Sequence, residues 1–452
     1  MAEHQDGGIN ILTSAAAAAA SGNRTDGDER SDDTADNASS FHPLVPHADE
    51  EMWGHAYSSR ALNTKQSETR SLFAVANRPE VVSLAGGMPN IAGLPLDFLA
   101  DMTARLVRER GTELLQYGGG QGERELREQI VHLLEQEGVH VSPDQITVTT
   151  GSQAALDIVT QILVNPGDTI VAEAPSYVGA LGVFAAHEAN VVHVPMDDNG
   201  LIPKELERTL TQLESEGTQA KFIYTVPNFH NPGGVCLSIE RRPQIVDIAR
   251  RHRVVILEDN PYGMLGFDDQ TNRALYNWNP DGIIYLGSFS KIFAPGYRVG
   301  WALASDELTA RLVLANENAV LSPTKVGQLS IAEYLRTYDW LGQIKEYRAM
   351  YCERRNAMNV ALNKYLPQCE WTVPGGGFYF WVKLPEGINA RHMLPRAVDN
   401  GVAYVSGTAF YADGTGADHI RLSFCYPTPE QITEGIRRLS KTIEAEMFHL
   451  NG

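Results

Sequence analysis

Between residues 145 and 318 the sequence alternates at short intervals between β-branched apolar runs and helical stretches. The apolar runs are ITVTT, TIVAEA, NVVHVP, KFIYTV, VVILED and IIYLGS, and amphipathic stretches such as SQAALDIVTQIL lie between several of them. Strands that are apolar along their whole length are buried on both faces, which is typical of a mostly parallel sheet covered by helical crossovers. The sequence therefore predicts an α/β fold.

The pattern changes at both ends of this region. After about residue 318 come long helical stretches, followed by the predicted strands FYFWVKLP and HIRLSFCY, which together indicate a smaller α+β domain. Residues 1–46 are rich in Ala, Ser, Asp and Gly and cannot bury enough apolar surface to fold, so we expect a disordered tail. We predict a tail (1–46), an N-terminal arm (47–90), a large domain (91–318) and a small domain (319–452).

Composition excludes several classes of function. A net charge of -19 leaves no basic surplus for nucleic acid. No apolar run approaches the ~20 residues that span a bilayer, and the residues before the poly-Ala run lack Lys and Arg, so we expect neither a membrane span nor a secretory signal. The cysteines are widely spaced, which argues against disulfides and a zinc site and favours the cytoplasm: Cys236, Cys352, Cys369 and Cys425.

Polar residues gather where the predicted strands end. Alone, each has an ordinary structural explanation, such as a helix cap, a turn or a surface charge. Their joint order along the chain is far more specific: Gly151-Ser152-Gln153, Tyr177, Asn231, Asp259, Tyr262, Ser288, Ser290, Lys291 and Arg298. In open α/β sheets ligands lie at this edge, so we expect these residues to form one site.

Together these residue types supply what pyridoxal 5′-phosphate (PLP) needs from a protein. A lysine amine forms a Schiff base with its aldehyde, and a carboxylate keeps its pyridine nitrogen protonated so that the ring accepts electrons. A helix start, hydroxyl groups and an arginine suit its phosphate dianion. We therefore predict PLP as the cofactor and no metal.

The chain resembles the class I/II aminotransferases of fold type I, closest to the branch of 2-aminoadipate and kynurenine aminotransferases. The resemblance covers residues 80 to 425 and rests on SLAGGMPN, LQYGGGQG, TTGSQAAL, APSYVGAL, VPNFHNPGG, EDNPY, GSFSKIFAPGYRVGW and HIRLSF. Most specific is the Ser-x-Ser-Lys block, with Arg298 seven residues after Lys291. This resemblance implies a PLP-dependent transferase with a mostly parallel seven-stranded sheet between helices in the large domain, plus the smaller α+β domain.

The same resemblance implies how the cofactor is held. Lys291 carries it as a Schiff base and later moves the substrate Cα proton. Asp259 pairs with the pyridine nitrogen, and Tyr177 stacks on the ring. The remaining residues face the phenolic oxygen (the first two) or the phosphate: Asn231, Tyr262, Ser152, Gln153, Ser288, Ser290 and Arg298.

Substrate and subunit contacts are implied as well. Arg421 would bind the substrate α-carboxylate in a two-pronged pair, with Asn231 and Gly87 beside it. Tyr117 would reach the cofactor phosphate of the neighbouring subunit, so we expect a homodimer.

The expected reaction is transamination from an aromatic, branched-chain or 2-aminoadipate-type L-amino acid to a 2-oxo acid, most simply 2-oxoglutarate. Two alternatives stay open. One is a C–S lyase on the same scaffold, since the cofactor supplies the chemistry. The other is an aminotransferase-like sensor in a transcriptional regulator, although the acidic N-terminal segment shows no basic patch.

A few residues depart from the family's pattern or stand outside it. Gly233 replaces the usual Thr after Asn-Pro, and Asn260 stands where a second Asp is frequent. The segment after Tyr117 is unusually rich in glycine. We expect His230 to be structural, and we expect four aromatic residues to fill the small-domain core: Trp371, Phe378, Tyr379 and Trp381.

Overall fold

The computed structural model describes residues 55–63, 78–268 and 273–451. The chain divides into two compact units, 1–56 and 57–452. Only residues 55 and 56 of the first unit are described, so the predicted tail (1–46) lies outside the described residues. The elements below all belong to the second unit.

The strands of the described residues form three sheets. In chain order they are β1 (Val82–Ser83), β2 (Ile146–Thr149), β3 (Thr169–Ala174), β4 (Asn190–Asp197), β5 (Gly200–Leu201), β6 (Ala220–Thr225), β7 (Val255–Asp259), β8 (Ile283–Ser288), β9 (Gly300–Leu303), β10 (Glu370–Trp371), β11 (Tyr379–Lys383), β12 (Val402–Ala403), β13 (Val405–Ser406) and β14 (His419–Ser423).

Helices connect and cover these strands. The α-helices of the described residues are α1 (Ser59–Asn63), α2 (Leu96–Leu114), α3 (Arg124–Glu135), α4 (Ser152–Leu163), α5 (Val178–Ala186), α6 (Pro203–Ser215), α7 (Arg241–Arg251), α8 (Asp306–Val320), α9 (Lys325–Thr337), α10 (Trp340–Tyr365), α11 (Ala390–Asp399) and α12 (Pro429–Asn451). Short 3₁₀ helices lie at Pro143–Gln145, Leu275–Trp278, Pro280–Gly282, Pro295–Tyr297 and Gly407–Phe410.

The largest sheet has the order β2-β9-β8-β7-β6-β3-β4-β5. Pairing is parallel from β8 through β7, β6 and β3 to β4, whereas β9 runs antiparallel to both of its neighbours. This confirms the mostly parallel sheet, and the two-residue β5 adds an eighth, antiparallel strand at the edge beyond the seven expected.

Burial along the central strands agrees with helical cover on both faces. β2, β8 and β9 are buried along their whole length, and β3, β6 and β7 are buried in all but one residue. β4, which lies next to the short edge strand β5, is largely exposed or half-buried. The hydrophobic core therefore lies around the middle of the sheet, where the apolar runs of the sequence place it.

A second sheet, β10-β11-β14-β13, is antiparallel throughout, and α10 packs against α12 beside it. The expected division of the chain at 318/319 falls inside α8 and stays a prediction.

The segment from Val82 to Met88 runs along this smaller sheet. β1 pairs with β12 in parallel, the Leu84 amide donates to the Ala403 carbonyl at 2.8 Å, and the Ser423 amide donates to the Leu84 carbonyl at 2.7 Å. These bonds fix the peptide groups just before Gly87. In the described part of the chain no helix is both long and apolar enough to cross a bilayer.

Candidate active site

A cavity of about 780 Å³ lies at the carboxyl ends of the parallel strands. Asp259 and Ser288 are the last residues of β7 and β8, and Arg421 on β14 also lines the cavity, so both larger sheets contribute to it. The predicted site residues that line it are Gly87, Ser152, Gln153, Tyr177, Asn231, Asp259, Tyr262, Ser288, Ser290, Lys291, Arg298 and Arg421. Tyr117 does not line it and is 74% exposed.

Lys291 follows β8 in a turn and is half-buried among apolar neighbours. Its Nζ donates to the Gly87 carbonyl at 2.7 Å and lies 5.7 Å from the ring centre of Phe378. Burial is the main cause that lowers the pKa of this amine to about 8, and the nearby guanidinium groups of Arg421 and Arg298 lower it further. A share of the amine is therefore neutral near neutral pH, as a nucleophile requires.

Asp259 offers one satisfied and one free carboxylate oxygen. Oδ2 accepts a hydrogen bond from the Tyr224 hydroxyl at 2.8 Å, whereas Oδ1 is buried and has no partner among the described residues. Burial raises the pKa of Asp259 to about 6, and the Tyr224 hydrogen bond opposes that rise. Because an unpartnered buried oxygen is unfavourable, this atom is suited to a donor on a bound molecule.

An anion-binding cradle lies at the start of α4. Gly151, the N-cap residue, has φ 81° and ψ 162° and no side-chain cap, so the first N–H groups of the helix are not used by a cap. A Cβ on Gly151 would lie 2.7 Å from Nη2 of Arg298, which places the guanidinium against the helix start. Arg298 itself adopts a left-handed conformation with φ 54°. The cradle combines free N–H groups with a positive charge.

Serine hydroxyls complete this end of the cavity. Ser288 and Ser290 both line it, and the Ser288 Oγ accepts the Ser290 amide at 3.0 Å. At Gly300 a Cβ would lie 2.4 Å from the Ser152 amide nitrogen, so β9 passes directly beneath the helix start. Only glycine permits that approach.

Arg421 is 2% exposed and is already oriented. Its Nη1 donates to the Asn231 side-chain oxygen at 2.9 Å and its Nη2 to the Ala85 carbonyl at 2.7 Å. The guanidinium lies 4.3 Å from the ring centre of Tyr379, and its buried Nε has no partner in the described part of the chain. Since both bonded acceptors are neutral, the buried charge is suited to an anionic group in the cavity.

Phenol groups surround the middle of the cavity. The Tyr262 hydroxyl is 3.5 Å from that of Tyr379, and the Tyr177 hydroxyl donates to Gln153 Oε1 at 3.4 Å. Burial raises the pKa of Tyr177 to about 12, so this phenol stays protonated at neutral pH. A Cβ on Gly87 would lie 2.3 Å from the Tyr379 hydroxyl, which explains glycine at that position.

Two tyrosines of the site were not predicted. Tyr379 is 2% exposed and belongs to the hydrophobic core, as expected, but it also lines the cavity, which was not expected. Tyr224 contacts Asp259 from inside β6. A tyrosine within the apolar run KFIYTV was an available signal, since a buried phenol usually finds a polar partner. The other unpredicted lining residues carry no side-chain charge: Met88, Val178, Gly179, Val226, Pro261 and Pro295.

The structure gives a physical reason for the unusual residue at 233. The Gly233 amide donates to His230 Nδ1 at 3.0 Å, and a Cβ on Gly233 would lie 3.1 Å from that nitrogen. A threonine there would crowd the imidazole. His230 Nε2 lies 3.2 Å from Glu173 Oε2, and His230 does not line the cavity, in agreement with the expected structural role.

Asn260 belongs to a buried polar network behind the cavity. Its Nδ2 donates to Glu137 Oε2 at 2.8 Å, and its Oδ1 accepts from Asn228 at 3.0 Å. Tyr285 donates to the same Glu137 oxygen at 2.9 Å. An aspartate at 260 would place a second carboxylate against Glu137, whose pKa burial already raises to about 8.

These groups fit PLP. The free Oδ1 of Asp259 matches a protonated ring nitrogen, the cradle at Gly151 and Arg298 matches a phosphate, and Lys291 matches an aldehyde. In the described ranges no group of three or more His, Cys, Asp or Glu side chains is arranged to hold a metal ion.

Comparison with known proteins gives the same assignment. The family model described as aminotransferase class I and II matches residues 80–439. The aromatic-amino-acid aminotransferase 1 of Thermococcus litoralis is 38% identical over 394 residues, covering 86% of this chain and 94% of that protein.

Two solved structures are similar as well. The kynurenine aminotransferase of Pyrococcus horikoshii, in complex with PMP and kynurenine, has a TM-score of 0.83 and 37% identity, covering 87% of this chain and 98% of that one. The α-aminoadipate aminotransferase of Thermus thermophilus, complexed with N-(5′-phosphopyridoxyl)-L-leucine, has a TM-score of 0.80 and 32% identity, with coverages of 87% and 98%.

Proposed function

We propose substrates and residue roles for a chain that belongs to the class I and II aminotransferases, a fold-type I enzyme with PLP as its cofactor. The proposed donor is an L-amino acid of aromatic, branched-chain or 2-aminoadipate type, and the proposed acceptor is 2-oxoglutarate. The observation that carries this proposal is that Lys291, Asp259 and Arg421 line one cavity. They provide an amine, an anion and a cation within reach of one amino acid.

PLP, when bound, supplies an aldehyde that takes the amino group and a ring that accepts electrons. We assign its covalent attachment to Nζ of Lys291, whose lowered pKa of about 8 favours a neutral, nucleophilic amine. With substrate and cofactor bound, the same nitrogen would act as the general base that takes the proton from the substrate Cα and as the acid that gives it back, so that no net proton would be lost.

The other residues orient the two molecules. Asp259 holds the ring nitrogen, Tyr177 covers the ring, and Asn231 and Tyr262 bind the phenolic oxygen. The phosphate is assigned to the cradle and its neighbours: Ser152, Gln153, Ser288, Ser290 and Arg298.

For the substrate carboxylate we assign Arg421. Because its guanidinium is already held by Asn231 and Ala85, the charge is oriented before substrate arrives. Gly87 places its backbone in the cavity beside this group, and its carbonyl is bonded to Lys291 at 2.7 Å. The assignment keeps the α-carboxylate near the base that acts on Cα.

The remaining lining favours apolar donors within the proposed range. Met88, Val178 and Val226 line the cavity and offer apolar surface to a side chain. Among the described lining residues, the cationic side chains are Lys291, Arg298 and Arg421, and each already has an assigned role. A 2-aminoadipate donor would need a further cation for its second carboxylate.

We also propose that the enzyme is a homodimer located in the cytoplasm. Tyr117 and Leu115 are 74% and 71% exposed, which supports a contact surface for a second copy, with Tyr117 reaching the partner's phosphate. Cys352, Cys369 and Cys425 are not in disulfides, which supports a reducing compartment.

A panel of L-amino acids with 2-oxoglutarate, scored for glutamate formation, tests the function. We expect aromatic and branched-chain donors to give the highest kcat/KM, and Lys291→Ala to abolish turnover. Pyruvate and ammonia released from β-substituted amino acids, without glutamate, would favour a C–S lyase instead. Full activity in Lys291→Ala would contradict the assigned roles.

A further inference from the structure

Tyr224 lies below the cavity and has no assigned role so far. It is fully buried in β6, and its register partner on β7 is Leu257. Paired residues of neighbouring strands project from the same face, and so does Asp259, two residues beyond Leu257. The Tyr224 hydroxyl therefore meets the Asp259 carboxylate in the same layer, where it donates to Oδ2 at 2.8 Å.

This hydroxyl can donate only one hydrogen bond, and Asp259 is the acceptor. Burial, together with the negative charge of Asp259, raises the pKa of Tyr224 well above its usual value, so the phenol stays a neutral donor. Its ring is fixed by an edge-on contact with Phe184, with ring centres 5.5 Å apart at 79°. The donor is thus rigid, and it occupies one carboxylate oxygen while the other stays free.

We propose that Tyr224 is a positioning residue, whose hydroxyl holds Asp259 ionised and turned so that Oδ1 meets the cofactor's ring nitrogen. This inference rests on the proposed role of Asp259. A hydrogen bond to an ionised carboxylate is among the stronger ones in proteins, and it opposes the effect of burial, which favours the neutral acid.

Other charged or titratable groups surround Asp259 as well. His230, in the loop after β6, lowers the pKa of Asp259 electrostatically. The Asp259 charge in turn contributes to the raised pKa of Tyr177, which lies at the start of α5. Lys291 and Arg298 line the same cavity. Tyr224 is distinguished from these by its direct hydrogen bond, so a substitution that removes only the hydroxyl isolates its contribution.

The test is the variant Tyr224→Phe, compared with Tyr404→Phe as a matched control. Tyr404 is also fully buried, but its hydroxyl donates to the Ala390 carbonyl at 2.6 Å in the small domain. Binding of PLP to each apoenzyme is measured by titration. We expect PLP to bind Tyr224→Phe about 10- to 100-fold more weakly and Tyr404→Phe unchanged, because a hydrogen bond to a charged group is lost in only one of them.

A cofactor analogue separates positioning from general damage. In 1-deaza-PLP a C–H group replaces the ring nitrogen, so the ring has no N–H to donate to the Asp259 carboxylate. We expect its affinity for Tyr224→Phe to equal its affinity for the wild type. Equal weakening of PLP and 1-deaza-PLP would overturn the inference, since it would show a merely structural effect.

A spectroscopic cycle with Asp259→Asn gives a second readout. In the holoenzyme of Tyr224→Phe, the midpoint of the pH-dependent cofactor absorbance should move to higher pH, because a ring nitrogen that carries its proton less of the time withdraws fewer electrons. In the Asp259→Asn background the same substitution should shift nothing further. Additive shifts, or no shift in the single variant, would overturn the inference.

The wild type distinguishes this failure from a failure of the proposed function. A wild-type protein that forms no covalent adduct with PLP at Lys291 would contradict the proposed function itself. A wild type that does so, with a Tyr224→Phe variant indistinguishable from it, would contradict only the role of Tyr224.

Discussion

Gly151→Ala adds a single methyl group that should lower both the stability of the fold and the affinity for PLP, and the two effects can be measured separately. The backbone of Gly151, at φ 81° and ψ 162°, occupies a region that is essentially restricted to glycine. In Gly151→Ala the new Cβ would lie 2.7 Å from Nη2 of Arg298. The guanidinium is the end of a flexible side chain, so it moves away from the helix start while the fold persists.

The two effects have different magnitudes and different readouts. Backbone strain should lower the free energy of unfolding of the apoenzyme by about 1–3 kcal/mol. Displacement of Arg298 should weaken a charge-assisted hydrogen bond to the phosphate, worth about 1.5–3 kcal/mol, which corresponds to about a 10- to 100-fold loss in PLP affinity.

Gly217→Ala is the matched control for this variant. Gly217 follows α6 with φ 75°, and a Cβ there would meet open space. It should lose about 1–2 kcal/mol of stability through strain alone, with PLP binding unchanged. Urea unfolding gives the free energy of unfolding of each apoenzyme, and PLP titration gives the affinity of each for the cofactor. If Gly151→Ala is destabilised like Gly217→Ala yet binds PLP within twofold of wild type, the cradle is not where the phosphate binds.

Three further predictions concern charge. Covalent attachment of PLP to the apoenzyme, followed by stopped-flow absorbance, should accelerate about tenfold from pH 7 to pH 9, because the neutral fraction of an amine with a pKa of about 8 rises by that factor; a rate independent of pH would contradict the lowered pKa. Burial raises the Glu137 pKa from 4.5 to about 8, so its contribution to stability is complete below pH 4.5 and lost as the pH rises through 8. In urea unfolding at several pH values, the free energy of unfolding should therefore fall less for Glu137→Gln than for wild type between pH 5 and pH 8.5. An equal fall in both proteins would contradict this. Arg421→Lys should raise KM for the amino acid about 10-fold or more with PLP affinity nearly unchanged, since lysine cannot form the two-pronged pair; an unchanged KM would place the substrate carboxylate elsewhere.

Much of the fold follows from the sequence because the central strands are buried on both faces. Runs such as ITVTT and IIYLGS then carry no exposed polar positions, and they became β2 and β8. The polar residues that follow them identify the carboxyl edge, so the position of Asp259 and Lys291 at one cavity was also predictable.

Other features depend on information that a linear pattern lacks. FYFWV indicates a strand but not which of its residues meet the cavity, so the sequence predicted Tyr379 as a core residue and missed its place in the cavity lining. The short β5 depends on a two-residue pairing with β4 that has no periodic signal. The expected role of Tyr117 involves a second copy of the chain and stays a prediction.

The fixed guanidinium of Arg421 has a consequence for how such an enzyme changes over evolution. Its two hydrogen bonds belong to the folded protein rather than to any one substrate, so in the proposed role Arg421 would present the same anchor to every amino acid. Discrimination among donors would then be left to the apolar wall that includes Met88, Val178 and Val226. Substitutions on that wall can retune preference while the reacting groups stay in place, which makes broad or shifting specificity an accessible property of this architecture.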